Sequence, residues 1–364
     1  MKLRFHHYWL LFLFCALALT SGSRAAAQST NRGVWCWSTP GPYGLSYIVG
    51  TNALMSAAVA QFKLWGINQV YGSYNNLLST VPGQTALAAW NTLLHNNGIQ
   101  SQLLISDDLF GSGDNNILAK MISFNKNQPV VAQFQAVHLD IEPWGLSTWA
   151  TNQYNYLVGL ASTYQQVRNE LNTNAEANVL IYADQAYWLD SLAAVSWPSA
   201  AVRNQWFSNI FTNLAGITLM AYEQPTYSRI VNAVAWQMTN YPGLVRVGID
   251  GGSGQTWSNL NAFLVVASQV ESNYSASAGI DIYDFQSFEE IVPPVISIGT
   301  VPALTQSGFN LMVQGPIGSN CVVQASTDLL NWQMVANFTS QSWLTYVTDP
   351  AATNRTNRFY LVEP

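Results

Sequence analysis

The sequence predicts an α/β fold, a (β/α)8 TIM barrel followed by a small antiparallel β-sandwich, on three observations. Short β-branched or aromatic runs alternate with helix-period segments eight times between Gly33 and Phe285. Their spacing of roughly 30 to 40 residues suits a barrel of about 250 residues. After Pro293-Pro294 the helix period disappears, and alternating apolar runs punctuated by Gly and Asn take over.

The predicted strands are Gly33–Trp37, Gly66–Gly72, Ile99–Ser106, Ala136–Glu142, Asn178–Asp184, Gly216–Glu223, Leu244–Asp250 and Gly279–Phe285. Between them, Ala53–Leu64, Thr85–Leu94 and Trp149–Leu171 carry apolar residues at helical spacing. Gly66, Gly98 and Gly216 precede strands, where a helix C-terminus favours a residue that tolerates left-handed geometry. Glu289-Glu290-Ile291-Val292 shows no helical run, so the eighth helix is expected to be missing or replaced by packing against the C-terminal segment. Beyond it, runs such as Phe309–Val313, Cys321–Ala325, Trp332–Val335 and Arg358–Val362 predict six or seven strands. The expected division is residues 1–27, 28–292 and 293–364: a leader, a barrel and a β-sandwich. Residues 324–332, 349–352 and 358–360 resemble the C-terminal β-modules of large secreted bacterial proteins, which implies attachment or spacing.

Lys2 and Arg4 precede an apolar run from Tyr8 to Leu19 and then Ala25-Ala26-Ala27, the pattern of a secretory signal peptide. The run is too short to span a bilayer core of about 30 Å, and no apolar stretch of about 18 residues follows it. The chain is therefore expected outside the cytoplasm, extracellular or periplasmic, without a membrane anchor and as a monomer. Removal of the leader takes three of the 13 basic residues and none of the 19 acidic ones. The resulting acidic balance disfavours nucleic acid as a partner. Cys36 and Cys321 are expected to be separate buried thiols, and His95 and His138 are too few for a zinc or haem site, so neither cofactor nor metal is expected. Asp107-Asp108 and the segment 111–115 have the composition of a calcium loop but lack its spacing and closing Glu. Gly251-Gly252-Ser253-Gly254 lacks the context of a phosphate loop, and no Gly-x-Ser-x-Gly elbow is present.

Barrel chemistry sits at the C-terminal ends of the strands. Here those ends carry Trp35 and Trp37, Tyr71 and Tyr74, Asp107-Asp108, Asp140 and Glu142, Tyr182 and Asp184, Tyr222-Glu223, Asp250, and Asp281, Tyr283 and Asp284. Carboxylates among aromatic platforms suit a saccharide, which has hydroxyl edges and apolar C–H faces. Trp35, Trp37, Asp108, Trp144, Tyr182, Asp184 and Tyr283 are the candidate substrate-binding residues, with Trp188 a further aromatic. In the fourth strand, alternation turns Val137, Leu139 and Ile141 toward the helices and His138, Asp140 and Glu142 toward the interior. Adjacent Asp140 and Glu142 can share a proton, so Glu142 is expected to be protonated as a general acid requires, with His138 a core histidine bonding Asp140.

Leu139-Asp140-Ile141-Glu142 resembles the Asp-x-Glu end of the fourth-strand motif of the chitinase-like family 18 glycoside hydrolases. Leu219-Met220-Ala221-Tyr222-Glu223 is similar to that family's sixth-strand Met-x-Tyr-Asp motif, and Tyr283 stands near its eighth-strand Trp. The resemblance covers the barrel. It implies that Glu142 protonates the glycosidic oxygen, Asp140 orients a substrate N-acetyl group and Tyr222 supports the resulting oxazoline. Gln135 and His138 stand where the family has Asp, and Ala136 where it has Gly. A second enzymatic reading pairs Glu142 with a carboxylate nucleophile, Glu223 or Asp184; a separation near 5.5 Å implies retention and roughly 6.5 to 9.5 Å inversion. A third keeps the barrel as a non-catalytic carbohydrate-binding protein.

Overall fold

The computed structural model describes residues 31–39, 41–107, 116–252, 257–297, 303–355 and 357–364. The expected leader lies outside the described residues, as do Asp108, the segment 111–115 and Ser253-Gly254 of the glycine-rich loop.

Eight parallel strands close into a barrel in chain order: β1 (Arg32–Cys36), β2 (Ile67–Gly72), β3 (Gln100–Asp107), β4 (Ala136–Ile141), β5 (Leu180–Gln185), β6 (Gly216–Met220), β7 (Val245–Asp250) and β8 (Gly279–Tyr283). Closure is made by β1 against β8, with Arg32 opposite Ile280 and Val34 opposite Ile282. The helices form where the apolar period predicts them, at Asn52–Leu64, Val81–Asn96 and Trp149–Thr173, and their apolar faces pack on the outward residues of the strands. Among the described residues no helix is long and apolar enough to cross a membrane.

Two of the three strand-leading glycines adopt the expected left-handed backbone, Gly66 with φ 69° and Gly98 with φ 71°. Gly216 does not; it is the first residue of β6, and a Cβ there would lie 2.9 Å from the carbonyl oxygen of Leu244. Close approach, not turn geometry, accounts for that glycine.

The end of the barrel opposite the expected site is closed by polar side chains. Arg246 pairs with Asp281 at 2.7 Å and donates to the carbonyls of Ala278 and Ile280. Asp281 also accepts from Tyr71 and Thr218, both at 2.7 Å. The saturated geometry is what makes a buried ion pair tolerable.

The eighth helix is present, contrary to the sequence expectation. Phe285–Ile291 is helical for seven residues, and the Asp284 carboxylate accepts from the Ser287 backbone N–H at 2.9 Å as its N-cap. Its shortness hid it, because two turns give too few apolar repeats to show a period. Asp284→Ala is expected to cost about 1 kcal/mol of stability in a denaturant titration, the usual loss for an N-cap carboxylate.

Seven short strands complete the chain: β9 (Val295–Ile296), β10 (Ala303–Thr305), β11 (Gly308–Gln314), β12 (Asn320–Ser326), β13 (Gln333–Thr339), β14 (Leu344–Asp349) and β15 (Phe359–Glu363). They form two antiparallel sheets, one of β9, β10, β11 and β14, the other of β13, β12 and β15. Leu311, Val313, Cys321, Val323 and Val347 fill the space between them. This sandwich-like appendage is bonded to the barrel. Trp343 is fully buried and donates from Nε1 to Glu289 of the eighth helix at 2.8 Å. The Ile317 N–H donates to the Tyr43 hydroxyl at 3.0 Å, and Gln314 Nε2 to the carbonyl of Ala57 at 3.4 Å. Cys36 and Cys321 are separate buried thiols, one in each part.

Candidate active site

Val137, Leu139 and Ile141 lie in the apolar layer under the helices, so the alternation of β4 turns His138 and Asp140 inward. The β3–β4 register sets Leu104 beside His138 and Ser106 beside Asp140; the β4–β5 register sets Tyr182 beside His138.

At the lower level the His138 ring is stacked on Tyr71, with centroids 4.0 Å apart. Its Nδ1 lies 3.0 Å from Gln102 Oε1 and its Nε2 2.8 Å from Asp184 Oδ1. The Gln102 amide nitrogen donates to Gln69 and Gln100, which leaves its oxygen for the ring. Both ring nitrogens thus face oxygens, and a proton must lie on the line between Nε2 and Asp184 as well as on Nδ1. The partner of His138 is Asp184, not Asp140 as the sequence suggested. Asp140 is two residues further along the same strand, about 6 to 7 Å higher, whereas Asp184 reaches across from the next strand. Asp184 Oδ2 accepts from Trp35 Nε1 at 3.0 Å, so both of its oxygens are engaged. Burial raises this carboxyl above the usual range, against the opposing pull of His138.

One level up, Asp140 Oδ2 accepts from Ser106 Oγ at 3.0 Å, while Oδ1 is buried without a donor. Burial, then the charges of Asp184 and Glu142 and a hydrogen bond with Glu142, push the Asp140 carboxyl well above the carboxylate range. Asp140 is the deeper carboxyl of the two: it is only 6% exposed, and Glu142, just past the strand end, is half-buried. Glu142 Oε2 accepts from Trp144 Nε1 at 2.8 Å.

Aromatic rings enclose the pair. Trp35 presents its edge to Tyr71, His138, Tyr222 and Tyr283. Tyr222 and Tyr283 are stacked, with centroids 4.1 Å apart and planes 17° apart, and Trp37 meets Tyr283 edge-on. Burial raises the Tyr222 hydroxyl, with the Glu142 charge the next cause. Its hydrogen-bond partner is Met220 Sδ at 3.3 Å, a weak acceptor that leaves the group available to a ligand. Trp144, Trp149 and Trp188 pack edge to face beside Glu142.

Glu142, Asp140, Tyr222, Tyr283, Asp184, Trp35, Trp37 and Trp144 are thus brought together. Two other sequence candidates are not, and a third cannot be placed among them. Tyr182 points inward but at the lower level, stacked toward His138 and influenced by Arg246 and Asp281, because its register partner on β6 is Gly216, the first residue of that strand. Glu223 is exposed on the turn after β6, since the strand ends at Met220 and the alternation does not reach it. Asp108 lies outside the described residues. Asp250 holds its own loop by accepting from the Gly252 N–H at 2.7 Å. Ser106 was missed, although the alternation Gln102, Leu104, Ser106 on β3 marks it as inward-facing. Among the described residues no three His, Cys, Asp or Glu side chains are arranged to hold a metal ion.

Neither a family model nor a curated protein matches the chain. Among solved structures, the chain is similar to an endo-β-1,4-mannanase double mutant from Cellulomonas fimi, with 9% identity, TM-score 0.43, and coverage of 92% of this chain and 94% of that one. An endo-β-N-acetylglucosaminidase from Cordyceps militaris gives 11% identity and TM-score 0.44 over 71% of this chain and 83% of that one. A family GH18 chitinase from Cycas revoluta in complex with allosamidin gives 13% and 0.37 over 61% and 68%. At these identities and scores the likenesses assign neither a reaction nor a residue.

Proposed function

We propose that the chain is an exported glycoside hydrolase that cleaves an N-acetylated polysaccharide, with Glu142 as general acid. The observation that carries this reading is the Asp140–Glu142 pair: a buried carboxyl that burial and the neighbouring charges push well above its usual range, beside a half-buried carboxyl at the barrel mouth, among Tyr222, Tyr283 and Trp35. Passing a proton from Asp140 to Glu142 arms Glu142 to protonate the glycosidic oxygen as the C1–O bond breaks. Asp140, then anionic and still held by Ser106, accepts the N–H of the substrate amide. The amide oxygen attacks C1, and the Tyr222 hydroxyl donates to the cyclic intermediate. Water, deprotonated by Glu142, opens that ring and restores the pair.

Neither carboxylate that the sequence offers as a nucleophile suits that role, which favours the substrate's own amide. Asp184 is 1% exposed with both oxygens engaged, and Glu223 is exposed on a turn. Reducing-sugar release from chitin, peptidoglycan, galactosaminoglycan and plain glucan or galactan tests this. Activity confined to N-acetylated substrates is expected, with Tyr222→Phe lowering kcat about 10- to 100-fold and leaving KM nearly unchanged. Turnover of plain glycans would exclude the amide mechanism, and binding without any turnover would make the barrel a carbohydrate-binding protein.

A further inference from the structure

We infer that the appendage carries a second, non-catalytic binding site, a groove for a neutral polysaccharide strand built around Tyr346. The inference rests on the glycan reading of the barrel for its ligand class, but not on catalysis.

The groove, about 480 Å³, lies between β13 and β14. Each is an edge strand: β14 pairs with β11 and β13 with β12, in different sheets, so a furrow runs where the sheets part. Alternation on β14 buries Val347 in the small core and turns Tyr346 and Thr348 outward. The Tyr346 ring is 74% exposed, a large aromatic surface that the fold leaves uncovered. Ala336 and Phe338 of β13 pack on the core and form an apolar wall, and Gln341 and Ser342 from the connecting turn also line the groove.

Among the described residues, no charged side chain lines the groove. The adjacent charge is engaged elsewhere: Asp349, next to Thr348, pairs with Arg358. The polar lining is made of hydroxyls and an amide. Thr339 donates to Asn320, Thr348 to Asn310 and Ser342 to the carbonyl of Leu344, so these hydroxyls keep their lone pairs for a ligand. Gln341 donates one Nε2 hydrogen to the carbonyl of Thr339 and keeps its oxygen and its second N–H. An uncharged groove of acceptors and an amide donor beside one open aromatic face fits a ligand of hydroxyls and apolar C–H faces, which describes a neutral glycan. It fits an ionic ligand poorly. Trp343, three residues before Tyr346, is buried against the barrel, so the groove is held at a set position relative to the catalytic mouth.

The test uses the full chain carrying Glu142→Gln, so that polymer is bound but not cut. Depletion from suspensions of chitin, amorphous cellulose and insoluble mannan is measured with and without Tyr346→Ala, and with Tyr346→Phe, which keeps the stacking face. Binding to at least one polymer is expected, weakened about ten-fold by Tyr346→Ala and retained by Tyr346→Phe. Tyr346→Ala in the otherwise native chain should leave hydrolysis of soluble oligosaccharides unchanged. The inference is overturned if no polymer binds, if Tyr346→Ala binds as its parent does, as it would were the groove a peptide site, or if soluble turnover falls with binding. Tyr346-dependent binding without any hydrolysis by the native chain would sustain the groove and defeat the hydrolase reading instead.

Discussion

Glu142→Gln is expected to lower kcat/KM on N-acetylated oligosaccharides by about a hundred- to ten-thousand-fold, the share that a positioned general acid contributes. The substitution is nearly isosteric. The glutamine oxygen can still accept from Trp144 Nε1, which lies 2.8 Å from the present carboxylate, so the aromatic cluster beside it should stay in place. What is lost is the ability to take a proton from Asp140 and pass it to a leaving group. Oligosaccharide affinity, measured by calorimetry, should therefore change by less than about three-fold while initial rates collapse. Equal losses of binding and rate would mean that Glu142 shapes the cleft instead of moving a proton, and an unchanged rate would remove it from the mechanism.

The second large effect concerns stability. Glu289 is fully buried in the eighth helix, with Oε2 accepting from Trp343 and Oε1 without a partner. Burial raises its carboxyl to about 8, with the Trp343 bond opposing. In the unfolded chain the same group titrates near 4.5. Between those values the native state holds a proton that the unfolded state has released, so stability falls as pH rises. The contribution is intact below about pH 4.5 and fully lost a little above pH 8, about 5 kcal/mol in all. Asp140 and Asp184 shift in the same direction, so the native chain alone does not isolate Glu289. The difference does: Glu289→Gln should gain about 4 kcal/mol relative to the native chain between pH 5 and pH 8.5, whatever constant cost the amide carries. Urea titrations at both values measure it, and a difference that does not change with pH would show that Glu289 is ionised in the folded protein.

The barrel was legible because eight β-branched runs at regular spacing leave little else for the chain to form, and each observed strand overlaps its expected range. The appendage was legible from the loss of the helix period after Pro293-Pro294. Alternation along β4 was enough to turn Asp140 inward. Depth was not legible, because alternation says which way a side chain points and register says how high it sits. Tyr182 and Asp184 look equivalent on paper, yet one rests at the level of the Arg246 plug and the other beneath Asp140. The partner of His138 depends on a residue 46 positions away, so a local pattern could not show it. Glu223 was drawn in by its neighbour Tyr222, and the strand ended before reaching it.

The pairing of β1 with β8 has a consequence in time. Arg32 and Ile280 are register partners, yet about 250 residues separate them in the chain. At synthesis rates of about 5 to 20 residues per second, β1 waits roughly 12 to 50 s before its second neighbour exists. During that interval Val34 and Cys36 flank an open sheet edge, the kind that invites pairing with another chain. The newborn protein thus carries an open edge over about two thirds of its own synthesis, until Gly279–Tyr283 arrives to close the ring.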